Sequence, residues 1–190
     1  MGGSGLAAEV NNPAKPYGRM FFATGNGSFT ASAPYTRAMS YGMSVVELDL
    51  TGGVFTVADD FTPYNQALLD GQDGDLGSGG PLLLTPQTLA SGSTLYPLLQ
   101  AGKSGKIYIL DRNKLGGFNA TADQVPQEVQ TPIFNSHGWG AGIWGSEAYW
   151  NGNIYYGGMY PLSTNSVNAY SFVKGVLSAN PTSDTPQEFT

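Results

Sequence analysis

Nowhere in its 190 residues does the chain run further than 13 without a glycine or a proline. That longest stretch, Leu162 to Lys174, carries Thr164, Val167 and Tyr170 rather than an apolar stripe at helical spacing. A helix interior loses about 1 kcal/mol to each Gly and about 3 kcal/mol to each Pro relative to Ala. Helices of ordinary length therefore have almost nowhere to form. What the chain offers instead is short runs of Val, Ile, Tyr, Phe and Leu closed by Gly, Asn or Pro, such as Arg19–Thr24, Ser44–Leu50, Lys106–Asp111 and Asn153–Tyr156. Such runs read as strands and turns, so the expected fold class is all-β. Hydrophobic residues make up 41% of the chain and charged ones only 12%, which is enough apolar surface for a buried core and too little charge for a disordered polyelectrolyte. The length is that of one domain, residues 1–190.

Composition also removes classes of function. Fourteen acids against eight bases leave a net charge of −6, and no Lys/Arg cluster exists, so a phosphate-tracking surface for nucleic acid is not expected. Without cysteine there is no disulfide framework, thiolate nucleophile or sulfur-ligated zinc. No apolar run approaches the roughly 18 residues of a membrane-spanning helix. The opening Met1–Ala8 has neither a basic nor an apolar signal region, so no signal peptide is expected in this chain.

An internal repeat refines the fold. Val46-Glu-Leu-Asp49 followed by Gly52-Gly-Val-Phe55 is echoed by Tyr108-Ile-Leu-Asp111 with Gly116-Gly-Phe118, and again by Asn168-Ala-Tyr-Ser171 with Gly175-Val-Leu177. Asp49, Asp111 and Ser171 are spaced 62 and 60 residues apart. A second register agrees, with Gly18–Gly25 resembling Gly152–Gly158, and Gly-rich openings recur at Gly3–Gly5, Gly77–Gly80 and Gly142–Gly145. Three units of about sixty residues, approximately 1–70, 71–138 and 139–190, each holding about four antiparallel strands, predict β-propeller blades in an incomplete ring. The competing reading is a β-sandwich, whose hairpins look alike without a fixed offset.

The segment Gly102-Lys-Ser-Gly-Lys-Ile-Tyr-Ile-Leu-Asp-Arg112 resembles the repeat of PQQ-type β-propellers, the fold of quinoprotein alcohol dehydrogenases. Asp73-Gly-Asp-Leu-Gly-Ser-Gly-Gly-Pro-Leu-Leu-Leu84 resembles the blade opening that precedes that repeat. The likeness covers most of the chain. With Asp60-Phe-Thr-Pro-Tyr-Asn65 it is similar to secreted bacterial PQQ-like propellers of unassigned activity. The resemblance implies an extracellular or periplasmic location, and self-association or further blades to close the ring. It also implies roles for four residues. Asp75 matches the base that takes the alcohol proton, and Asp73 an additional calcium ligand. Lys103 matches the cation on a quinone carbonyl, and Trp144 lies at the cofactor. PQQ and calcium are the cofactors so implied. Two positions depart from the dehydrogenases, Gly74 where they carry Trp and Ile143 where a polar residue is expected. The favoured expectation is therefore a binding or interaction scaffold for a small molecule or protein without intact catalysis, with a PQQ- and calcium-dependent alcohol or sugar dehydrogenase as the alternative.

Each candidate also has a plainer reading. Asp70-Gly-Gln-Asp-Gly-Asp75 is good turn chemistry before a strand, and Lys103-Ser-Gly105 a good hairpin turn. The acidic loop lacks the EF-hand pattern. His137 stands alone and builds no His-rich metal site. Trp139, Trp144 and Trp150 make either a stacking platform or inter-blade packing, the latter being the commoner use of aromatics in such folds. Asn26-Gly-Ser28 and Asn119-Ala-Thr121 are glycosylation sequons. The loops 25–43 and 158–168, rich in Ser, Thr and Asn, are the expected ligand-facing surface.

Overall fold

Alternation of side chains along a strand decides how these runs pack. The computed structural model describes residues 4–10, 12–131, 142–159 and 166–186. Its strands in chain order are β1 (Ala7–Glu9), β2 (Arg19–Ala23), β3 (Val45–Thr51), β4 (Val54–Thr62), β5 (Leu82–Leu83), β6 (Gln87–Thr88), β7 (Thr94–Leu95), β8 (Pro97–Ala101) and β9 (Lys106–Asp111). There follow β10 (Gly117–Phe118), β11 (Gln127–Gln130), β12 (Gly142–Ile143), β13 (Ala148–Trp150), β14 (Asn153–Met159), β15 (Val167–Val173), β16 (Val176–Leu177) and β17 (Ser183–Asp184). One short helix, α1 (Gln66–Gly71), and a 3-10 turn at Leu76–Ser78 interrupt them. The all-β expectation holds.

The strands form three main sheets in chain succession. The first has the order β1-β2-β3-β4-β10, the second β11-β9-β8-β5, and the third β12-β14-β15-β16, with β13 on β14 and β17 on β15; β6 and β7 pair separately. The pairings are antiparallel except for β10, which runs parallel to β4 with Gly117 opposite Phe61 and Phe118 opposite Thr62. This departs from the repeat: its first and third copies make hairpins, β3–β4 and β15–β16. In the second, the chain after β9 leaves its own sheet and joins the first. Asp59 in β4 accepts the Leu115 N–H at 2.8 Å, which draws the turn across. The place beside β9 goes to β11.

The second sheet lies between the other two. From β8 and β9, Leu98, Tyr108 and Leu110 face a cluster with Phe21, Met43, Val45 and Phe61 of the first sheet and its flanking segments. Their neighbours Leu99, Ala101, Ile107 and Ile109 face Ile143, Ile154, Tyr156, Tyr170, Phe172 and Leu177 of the third. That is why Ile107–Leu110 is apolar without a break, since both faces of β9 are covered. The inter-blade packing expected for the tryptophans does not occur at two of them. Trp144, just after β12, is 44% exposed, and Trp150, in β13 at a sheet edge, is 68% exposed. Trp139 and His137 lie outside the described residues. No described helix is long and apolar enough to cross a membrane.

Candidate functional site

The turn between β8 and β9 closes with the Gly105 N–H on the Gly102 carbonyl at 2.9 Å, so Lys103 sits in the tight turn its sequence predicts. Its backbone N–H donates to the Asp75 carbonyl at 3.0 Å, fixing that turn to the acidic loop. The side chain turns inward. Lys103 Nζ lies 2.8 Å from Asp73 Oδ2 and 2.5 Å from Asp75 Oδ2, with the Trp144 ring centre 4.9 Å away. The four residues singled out in the sequence, drawn from three separate segments, thus meet at one end of the strands. The adjacent loop adds a fifth group that sequence reasoning missed: the Asn26 N–H donates to Asp75 Oδ1 at 3.0 Å.

Close backbone approach makes this possible. A Cβ on Gly25 would stand 2.5 Å from Asp75 Oδ1, and one on Gly142 2.5 Å from Lys103 Cα. Gly142 also has φ +148°, and the Ile143 N–H donates to the Gly102 carbonyl at 3.1 Å, bringing Trp144 against Lys103. Asp70 lies in α1 rather than in a turn, and its Oδ1 accepts the Gly27 N–H at 2.6 Å, linking that helix to the adjacent loop.

Electrostatics fix the charge states. Burial disfavours the Lys103 ammonium, but hydrogen bonds to Asp73 and Asp75 outweigh it and raise its pKa above the ordinary lysine value. Burial pushes the Asp75 carboxyl up, while Lys103 and the Asn26 N–H bring it down further, for a net lowering. At neutral pH the site is a closed ammonium–dicarboxylate cluster beside a half-exposed indole. Lys103 itself is 8% exposed.

This donor set does not fit calcium. A hard divalent ion takes roughly six to eight oxygens. Here an ammonium already stands between Asp73 and Asp75, and the described residues contain no cluster of three or more metal-ligating side chains.

A second charged constellation lies at the other end of the strands and had no signal in the sequence. Asp49, Lys15, Glu47, Arg19, Glu9 and Arg112 form a chain of alternating sign. Lys15 pairs with Asp49 and stands 3.5 Å from Glu47; Arg19 is 3.2 Å from Glu47 and 2.6 Å from Glu9; Arg112 is 2.5 Å from Glu9. Strand register builds part of it, since Glu9 is opposite Arg19 and Arg19 opposite Asp49. Burial raises the Glu9 pKa, but hydrogen bonds from Asn12, Arg19 and Arg112 more than offset it and bring it to about 2. The chain matches no protein-family model, no curated protein and no solved structure.

Proposed function

We propose that this chain is a stretch of PQQ-like β-propeller that serves as a binding and interaction scaffold without quinoprotein turnover. One observation carries the functional half of this reading: Lys103 is clamped between Asp73 and Asp75. A base that takes an alcohol proton at neutral pH needs a carboxylate free to accept it and a pKa near the working pH. Asp75 has the opposite character, ion-paired and lowered in pKa. In support of the propeller half stand three successive sheets, each of four or more strands, packed face to face. The exposed Trp144 beside a paired lysine offers a flat, weakly polar surface suited to planar or ring-shaped ligands. By the same resemblance the protein works outside the cytoplasm and closes its ring with further sheets or a second copy.

The test is dye-linked oxidation of simple alcohols and sugars by the purified chain with PQQ and calcium, its native mass being known from light scattering. The scaffold reading expects no reduction of the acceptor in a discrete, closed oligomer. Turnover that vanishes in Asp75→Ala would overturn it.

A second reading, a PQQ- and calcium-dependent alcohol or sugar dehydrogenase, is favoured by the convergence of Asp73, Asp75, Lys103 and Trp144, and it requires Lys103 to leave the two carboxylates before calcium can be held there. It expects PQQ to quench tryptophan fluorescence in both the native chain and Asp75→Ala, with turnover only in the native chain.

A further inference from the structure

The alternating charge chain borders a cavity of about 710 Å³, within the span of roughly 300–1,000 Å³ typical of small-molecule sites. It is remote from the Lys103 cluster: Lys103 precedes β9 and Arg112 follows it, and six strand residues at about 3.3 Å each separate the two by roughly 20 Å. Pro13, Ala14, Ala58, Pro86 and Tyr96 supply apolar wall, and the Tyr96 ring centre lies 5.5 Å from the Arg112 guanidinium carbon.

The polar wall is charged but balanced. The lining carries three cations, Lys15, Arg19 and Arg112, and three carboxylates, of which Glu9 and Glu47 pair with those cations. The remaining carboxylate, Asp59, is held by the N–H groups of Asp60 at 2.9 Å and Leu115 at 2.8 Å. An ionic ligand would have to break one of these pairs to gain a partner. A neutral ligand would not, and hydrogen-bonding capacity remains for one. Asn113 accepts Arg19 through Oδ1 at 2.7 Å, leaving its side-chain N–H groups to spare. Fixed donors and acceptors of both kinds, zero net pull and an aromatic ring with prolines match a molecule that carries many hydroxyls and one apolar face.

We propose that this cavity is a second binding site, for a neutral polyhydroxylated ligand of mono- to disaccharide size. The inference does not depend on the propeller reading, and it concerns a different end of the strands. Saturation-transfer NMR on the full chain tests it, with maltose and cellobiose as neutral probes and glucuronate and glucosamine as charged controls. Transfer to a neutral disaccharide is expected, exceeding that to either charged sugar. Ala14 is exposed at the wall, so Ala14→Trp blocks the cavity without touching the core and abolishes the signal. Tyr96→Ala weakens binding about tenfold, the equivalent of roughly 1.4 kcal/mol. No transfer to either neutral probe, preference for a charged one, or a signal that survives Ala14→Trp overturns the proposal. So does a signal lost in Trp144→Ala but kept in Ala14→Trp, which would put the ligand at the other end.

Discussion

Single side chains set opposite pH limits on this protein. Glu9 is stabilised as a carboxylate, its pKa brought down to about 2 by Asn12, Arg19 and Arg112 against the opposing effect of burial. Its contribution is present above the unfolded value near 4.5 and is lost as pH falls toward 2. Glu147 behaves in reverse. Burial raises it to about 8, and among the described residues neither of its oxygens has a hydrogen-bond partner; the Tyr156 and Tyr170 hydroxyls are likewise unpartnered. Its protonated form suits the fold, so that contribution is present below about 4.5 and is lost as pH rises through 8. Thermal melts should therefore show Glu147→Gln removing the loss of stability between pH 5 and 8, and Glu9→Gln flattening the acid limb; unchanged profiles would refute the respective assignments. At the candidate site, Lys103→Met leaves two carboxylates facing each other. The cost expected in urea unfolding is about 1–2 kcal/mol, below that of a fully buried pair because Asp73 is largely exposed.

Strands and turns add constraints that no single residue carries. The edge where the candidate site forms depends on backbones in contact, so Gly142→Ala, with its Cβ 2.5 Å from Lys103 Cα, should destabilise by about 2 kcal/mol or more. Gly71 ends α1 where a Cβ would meet nothing within 4 Å, so Gly71→Ala should be neutral or stabilising by up to about 1 kcal/mol. Equal denaturation midpoints for the two variants would show that the close approach is not required. The short β10 illustrates how tertiary context overrides local likeness. Gly116-Gly-Phe118 matches Gly52-Gly-Val-Phe55 in sequence, yet only the earlier pair of glycines turns back on its own strand. Asp59, some fifty-six positions before Leu115, decides the difference by accepting its N–H.

Across the whole molecule, two apolar clusters share the middle sheet. Phe21 belongs to one and Phe172 to the other. Phe21→Leu and Phe172→Leu should each cost about 1 kcal/mol or more and add within about 0.5 kcal/mol if the clusters are independent. A larger coupling energy in the double variant would mean that β8 and β9 transmit strain between them. The alternating charge chain provides a polar seam beside the first cluster. Through Arg112, which also donates to the Leu84 and Pro97 carbonyls at 2.8 and 3.0 Å, it ties the first sheet to the second.

Strand identity was legible because it is a local property. Frequent Gly and Pro exclude helices, and unbroken apolar runs such as Ile107–Leu110 mark a sheet covered on both faces. The candidate-site residues were legible as members of short motifs, each equally at home in a turn; a turn is indeed where Lys103 lies, whereas Asp70 ends up in α1. Only the tertiary structure decided that Asp73, Asp75, Lys103 and Trp144 meet, that Trp150 faces solvent, and that β10 crosses to the first sheet. The same holds for the charge chain, whose Glu9–Arg112 contact spans 103 positions. Local patterns report which face of a strand is buried. Which distant loop ends beside it depends on how whole sheets stack, and no short stretch of sequence encodes that.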